Sequence, residues 1–273
     1  MKYKLLCTDM DGTLLNNNKE ISEVNKKAIA TAIENGLIVA LCTGRIFTFA
    51  NYYAQILGIK APVIASNGAY IRDGKMDEVL YKRNLGIENC RKIMKVLNKN
   101  GINPHFNSKD RILTGHISHS SESYLKFNET LDAEHQFKVN VIEDWESAFI
   151  KYEEDILKCI AIDNNLEKIK TAKEEISLID SLEVVSSLYN NFEVMAKGVS
   201  KGKAVEFLAN YYNIKREEII CIGDNENDLS MIDYAGLGVA MGNSVEEVKS
   251  RANYITTSNN ADGVAKVIEK FIL

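Results

Sequence analysis

The sequence predicts an α/β protein, a parallel-sheet domain with a separate α+β module inserted into it. Strand-like and helix-like segments alternate from Leu5 to Ala65, the pattern of a parallel sheet with helices on its faces. The same alternation resumes after Phe192 and runs to the last residue. Polar clusters fall just beyond three of these strands, at Asp9/Asp11, Thr43/Gly44 and Asp224/Asn227/Asp228. Open α/β sheets bind their ligands at that edge, outside the carboxyl ends of the strands. A chain of 273 residues suffices for one large domain or two, and 45% apolar with 26% charged residues is an ordinary globular composition.

Each element has its own local reason. Leu5 to Cys7 is a brief apolar run that stops at a polar turn, so it reads as a buried strand. Ser22 can cap a helix reaching Asn35, with Val24, Ala28, Ile29, Ala32 and Ile33 at helical spacing and Gly36 as its stop. Leu37 to Cys42 is continuously apolar, the mark of a strand buried on both faces. A helix to Leu57 follows Thr43-Gly44-Arg45, and a third strand, Val63 to Ala65, runs into Ser66-Asn67-Gly68-Ala69. Asp73-Gly74 marks a hairpin whose arms are Ala69–Ile71 and Val79–Tyr81.

Near Leu85 the character changes. A helix from Ile87 to Leu97 leads to short strands around His105, Ile112 and Val139. Helix Trp145–Tyr152, strand Leu157–Ile162, helix Leu166–Ile176 and strand Leu182–Leu188 come next, and no carboxylate cluster ends any of these strands. Beyond them Ser200 caps a helix to Tyr212, and strand Ile219–Ile222 ends at Gly223-Asp224-Asn225-Glu226-Asn227-Asp228. Strands at Gly238–Met241 and Tyr254–Thr256, a helix at Val245–Ala252 and a closing helix from Ala261 complete the alternation.

The chemistry starts at Asp9 and Asp11. Strand residues two apart point to the same side, and like charges so close need a cation or a shared proton. A divalent ion is the usual solution, and Mg²⁺ suits an all-oxygen site that keeps several waters. A calcium loop also opens Asp-x-Asp, but its obligatory glycine position holds Leu14 and a strand, not a helix, precedes it. Lys201 adds a cation at a helix N-terminus, where free N–H groups favour anions. Acceptors Asp9, Asp11 and Asp224 with donors Thr43, Gly44, Lys201 and Asn227 form a metal site beside an anion site. Phosphoryl transfer requires that pairing, because its catalysis is mostly positioning and charge neutralisation. Gly198-Val-Ser-Lys-Gly202 is no Walker A loop, since three residues separate its glycines and Ala204 replaces the Ser/Thr.

Asp9-Met-Asp11-Gly-Thr13, Thr43-Gly-Arg45, Lys201 and Gly223-Asp224-x-x-Asn227-Asp228 resemble the four motifs of the haloacid dehalogenase (HAD) superfamily. Ser66-Asn-Gly-Ala69, Gly198-Val-Ser-Lys-Gly202, Ala240-Met-Gly-Asn243 and Asp262-Gly-Val264 resemble its Cof-type hydrolases. The resemblance implies a Rossmann-like core formed by residues 1–84 and 188–273, with an inserted α+β cap at residues 85–187. It implies Asp9 as the nucleophile that forms an aspartyl-phosphate and Asp11 as the general acid and base. Mg²⁺ would be held by Asp9, by the main-chain carbonyl of Asp11 and by Asp224. The phosphate would sit on the Met10 backbone, Thr43, Gly44, Lys201 and Asn227, with Asp228 orienting Lys201 or metal waters. A carboxylate at Asp11 matches the family's phosphatases and phosphomutases and not its dehalogenases.

The function expected is a Mg²⁺-dependent phosphatase for small phosphorylated metabolites such as sugar phosphates. The alternatives are a sugar phosphomutase on the same fold and a phosphate-binding module without turnover. Formal net charge is −5, so no basic field advertises nucleic acid. No apolar stretch reaches membrane-spanning length, and no leader-like run follows Met1. Five cysteines without a Cys-x-x-Cys spacing read as reduced core residues of a cytoplasmic protein, either a monomer or a small homo-oligomer. The four histidines all fall in the inserted module. His116 and His119 read as part of a polar loop rather than a zinc site, and Arg111, His116 and His119 are the residues expected to reach the leaving group.

Overall fold

A computed structural model describes residues 2–73 and 78–273. In chain order the first part holds β1 (Leu5–Thr8), α1 (Glu23–Glu34), β2 (Ile38–Leu41), α2 (Phe47–Ile56), β3 (Val63–Ala65), β4 (Tyr70–Asp73) and β5 (Glu78–Lys82). The middle holds α3 (Ile87–Asn100), β6 (Pro104–Asn107), β7 (Arg111–Thr114), α4 (His119–Asn128), β8 (Lys138–Val141) and α5 (Trp145–Lys151). It continues with β9 (Lys158–Ile162), α6 (Leu166–Ser177), β10 (Leu182–Val185) and β11 (Asn191–Ala196). The last part holds α7 (Lys201–Tyr211), β12 (Ile219–Gly223), α8 (Leu229–Tyr234) and β13 (Leu237–Ala240). It ends with α9 (Glu246–Arg251), β14 (Tyr254–Ile255) and α10 (Gly263–Phe271).

The parallel sheet has the order β14-β13-β12-β1-β2. Its two central strands, β1 and β12, are buried along their whole length, as apolar runs between two helical layers should be. Each Leu or Ile buried there contributes roughly 1.5–3 kcal/mol relative to exposure. Helices α1 and α7 each begin at a capping serine: Ser22 accepts from the Asn25 N–H, and Ser200 from the Lys203 N–H. Strand β3 joins β2 by a single parallel bridge, Cys42 to Ile64, and then heads a three-stranded antiparallel sheet, β3-β4-β5. The hairpin turn at Gly74 lies outside the described residues.

The second large sheet is mixed, with order β10-β11-β9-β6-β7-β8. It extends past the boundary expected at residue 188, because β11 pairs antiparallel with both β9 and β10. Residues 191–196 look like the start of the parallel-sheet half only because their apolar run is equally buried in either sheet. A second correction concerns the loop expected around His116 and His119, which holds at His116 but gives way at His119 to α4, residues 119–128. Its apolar residues find their partners far off in sequence: Phe127 packs 4.8 Å from Phe49 and Tyr124 packs 5.6 Å from it, both centroid to centroid. Periodicity alone does not show that partner.

Candidate active site

The site forms where three parallel strands end. Beyond β1 the Asp9 N–H donates to the Ile222 carbonyl at 2.9 Å, which ties the loop to β12. Gly12 then adopts φ +81°, and a Cβ there would lie 2.5 Å from Asp224 Oδ2. Only glycine lets the first loop approach the third one so closely. Thr13 Oγ1 donates to Asp224 Oδ1 at 2.8 Å across the same gap.

Lys201, in the first turn of α7, is fully buried. Its Nζ reaches Asp9 Oδ1 and Asp228 Oδ1, each at 2.5 Å. The other oxygen of Asp228 accepts from the backbone N–H groups of Asp224 (2.8 Å) and Asn225 (3.1 Å), shaping the turn after β12. Thr43 Oγ1 accepts from the Arg45 N–H at 3.1 Å. Asp9, Asp11, Thr43, Gly44, Asp224 and Asn227 open onto one cavity of about 520 Å³. Met10 and Lys201, both fully buried, do not line it.

Burial, with the charges of Asp228 and Asp224, pushes Asp9 up, and Lys201 only partly offsets that. Burial and the Asp228 charge push Asp224 up to about 7. Burial would strip Lys201 of its proton, but Asp228 and Asp9 hold it well above the usual lysine range. Oxygens of Asp9, Asp224 and Asp228 lie within 4.8 Å of one another. One lysine against three buried carboxylates leaves an excess of negative charge, which a hard divalent cation with oxygen ligands would offset. The donor set therefore fits such an ion.

The Asp11 side chain lies outside that cluster. Arg45 donates to it through Nε (2.7 Å) and Nη2 (2.8 Å), and Lys19 Nζ donates at 2.9 Å. Against the effect of burial, Arg45 and then Lys19 hold its carboxyl well below the usual carboxylate range. Asp228 takes the third place in the carboxylate cluster.

The mixed sheet closes the cavity with one face. Lys158, Ile160 and Ile162 of β9 and Asn191 and Glu193 of β11 line it, while Cys159, Ala161, Phe192 and Val194 point to the opposite core. That is the period of two of a strand. His119 and Tyr124 of α4 also line it, whereas Arg111 and His116 do not. Arg111 instead pairs with Asp110 and lies 5.2 Å from the Tyr152 ring. Sequence reasoning gave no role to Arg45, Lys19, Thr13, Asn67, Lys158 or Glu193. For the last two a signal existed: each is a lone charge inside an apolar run, Ile156 to Ile162 and Phe192 to Met195.

A model of the haloacid dehalogenase-like hydrolase family matches residues 6–268. The chain belongs to that family. Among its relatives, the 5-amino-6-(5-phospho-D-ribitylamino)uracil phosphatase YwtE of Bacillus subtilis is 33% identical, over 98% of each chain. A haloacid dehalogenase-like hydrolase from B. subtilis superposes with a TM-score of 0.87 at 28% identity, covering 98% of this chain and 100% of the other. A HAD subclass IIB sugar phosphatase superposes with a TM-score of 0.81 at 26% identity, over 98% of each chain. The HAD-like fold, an α/β parallel-sheet core with helices on its faces, is shared across these matches.

Proposed function

We propose that this HAD-like hydrolase is a Mg²⁺-dependent phosphatase of small phosphorylated metabolites, acting through an aspartyl-phosphate on Asp9. The observation that carries the reading is the buried Asp9, held at 2.5 Å by Lys201 in a cavity shared with Asp11, Thr43, Gly44, Asp224 and Asn227. Asp9, the Asp11 carbonyl and Asp224 would hold Mg²⁺. Bound there, the ion would neutralise phosphate and carboxylate charge so that one anion can approach another.

In the first step an Asp9 carboxylate oxygen attacks phosphorus, the bond from phosphorus to the ester oxygen breaks, and Asp11 gives that oxygen a proton. In the second step water gives a proton to Asp11 and attacks phosphorus, releasing phosphate and restoring Asp9. Thr43, Gly44, the Met10 N–H, Lys201 and Asn227 hold the phosphate oxygens, and Asp228 holds Lys201 in place. The contacts from Arg45 and Lys19 keep Asp11 ionised and also weaken it as a base. The first step needs Asp11 protonated, so those contacts must loosen as substrate enters.

The mixed sheet with its helices acts as a cap over the core of residues 1–84 and 188–273, except that its last strand is β11. The relatives named above support a phosphorylated sugar or ribityl compound as the substrate class. Five buried, unpaired cysteines suit a reducing cytoplasm, and no helix among the described residues is long and apolar enough to cross a membrane. The test is phosphate release from a panel of sugar phosphates and the ribitylaminouracil phosphate, with Mg²⁺ and with chelator. Turnover should vanish in chelator and return with Mg²⁺, and Ca²⁺ should substitute poorly. Full activity in chelator would refute the metal assignment.

A further inference from the structure

The mixed sheet buries a charge pair on the face that lines the catalytic cavity. Lys158 of β9 and Glu193 of β11 are 1% and 3% exposed and form an ion pair. A buried pair gains little over apolar packing of the same volume, so stability does not account for it. What Glu193 touches does. Its Oε2 accepts from Lys158 and from Asn67 Nδ2, the latter at 2.8 Å, and its Oε1 accepts from Ser187 Oγ at 2.5 Å.

An ionised carboxylate can only accept hydrogen bonds. Asn67 must therefore turn its NH₂ toward Glu193 and its carbonyl oxygen away. That oxygen accepts from Asn227 Nδ2 at 3.2 Å. Asn227 thus spends one amide N–H on Asn67, and the second is left for a ligand in the cavity it lines. Asn67 has little freedom to turn otherwise: it is 1% exposed, sits at φ +55°, and its N–H donates to the Thr43 carbonyl at 3.0 Å. A Cβ on Gly44 would meet Asn67 Oδ1 at 3.0 Å and Glu193 Oε2 at 3.2 Å, so the relay lies directly against the anion loop. A bare carboxylate there would repel an incoming phosphate, and Lys158 cancels it.

We propose that Glu193, neutralised by Lys158, is a positioning residue: through Asn67 it fixes the amide of Asn227, so that phosphate binding at the parallel sheet is set from the inserted module. The proposal rests on the reading of Asn227 as a phosphate ligand.

The test is calorimetric titration of the full chain with inorganic phosphate in the presence of Mg²⁺. Glu193→Gln keeps the shape but adds a donor, which frees Asn67 to flip. Its Kd for phosphate should rise about 10-fold, the lower range for a partner that orients a binding group. Asn67→Ala should do the same, and the double variant Glu193→Gln/Asn67→Ala should bind no more weakly than Asn67→Ala alone, because both break one relay. Mg²⁺ affinity titrated without phosphate should stay unchanged, which a general loss of structure would not allow. Multiplying losses, or unchanged phosphate affinity in Glu193→Gln, overturns the proposal. If Glu193→Gln leaves Lys158 uncompensated and fails to fold, Lys158→Met/Glu193→Gln removes both charges and carries the same expectation. Wild-type phosphate affinity in that variant would mean charge balance alone, and would overturn the relay. A wild-type protein that binds no phosphate overturns the phosphate-site reading with it, whereas the other failures leave that reading standing.

Discussion

The parallel sheet and the mixed sheet meet the same cavity in different ways. The parallel sheet delivers chemistry from its strand ends: Asp9 follows β1, Thr43 follows β2 and Asp224 follows β12. The mixed sheet delivers it from a face, through alternate residues of β9 and β11. Loops at strand ends can hold unusual backbone geometry, such as Gly12 at φ +81°, and can bring carboxylates together. A sheet face holds side chains at a fixed pitch and suits shape and polarity better than reaction. Under the proposed function the contrast puts chemistry in one region and positioning and selection in the other, and each placement can be broken.

The largest effect belongs to the strand-end region. Asp9→Ala removes the oxygen proposed to attack phosphorus, and loss of a covalent nucleophile costs on the order of 10⁶-fold in kcat. Intact-mass analysis after mixing with an aryl phosphate should find no phosphoenzyme. An adduct in this variant would move the nucleophile elsewhere.

Asp11→Asn should fail differently. An aryl phosphate has an acidic leaving group and hardly needs a proton, so the first step should survive. Hydrolysis of the aspartyl-phosphate lacks its base and should slow ~10²–10⁴-fold. Rapid-quench kinetics should show a burst of phenol with phosphate trapped on Asp9. Normal binding with neither burst nor adduct would remove the acid/base role.

The inserted region should show itself through acid stability. His105 of β6 is fully buried, its Nε2 donates to the Ser118 carbonyl at 3.1 Å, and its Nδ1 has no partner among the described residues. Burial pulls its pKa down from 6.5 to about 4. The unfolded chain therefore binds this proton first as pH falls. The stability held by neutral His105 is complete above pH 6.5 and is lost progressively down to pH 4, by about 3 kcal/mol. Urea midpoints at pH 7.5 and pH 5 should differ less in His105→Gln than in the parent. An equal difference would place the acid-sensitive group elsewhere.

The smallest effect lies at the contact between the regions. The Arg45 guanidinium, which holds Asp11, lies 4.7 Å from the Phe49 ring centroid and 5.2 Å from that of Tyr124 on α4. Tyr124→Leu stays apolar but gives up the ring face on Arg45 and the edge contacts with Phe49 and Phe137, a loss of roughly 2 kcal/mol. The melting temperature should fall, and aryl phosphate turnover should change because Arg45 loses one wall. A fall in stability with identical turnover would make Tyr124 packing alone.

Local sequence determined most of the strands, the capped starts of α1 and α7 and the order of the reactive clusters. Apolar runs bounded by polar turns need no distant partner to be recognised, and Ser22 and Ser200 act within a few residues of themselves. For the same reason Asp9, Thr43, Lys201 and Asp224 were legible as members of one site before any geometry. Tertiary structure decided what depends on neighbours remote in the chain. It turned the Asp11 carboxylate toward Arg45, made α4 a helix by giving it the α2 aromatics to pack on, and assigned β11 to the mixed sheet. It also joined Lys158, Glu193, Asn67 and Asn227, four residues from separate segments. A buried strand carries the same apolar run whichever sheet takes it, and a lone charge within that run reveals its partner only once the second strand lies beside it.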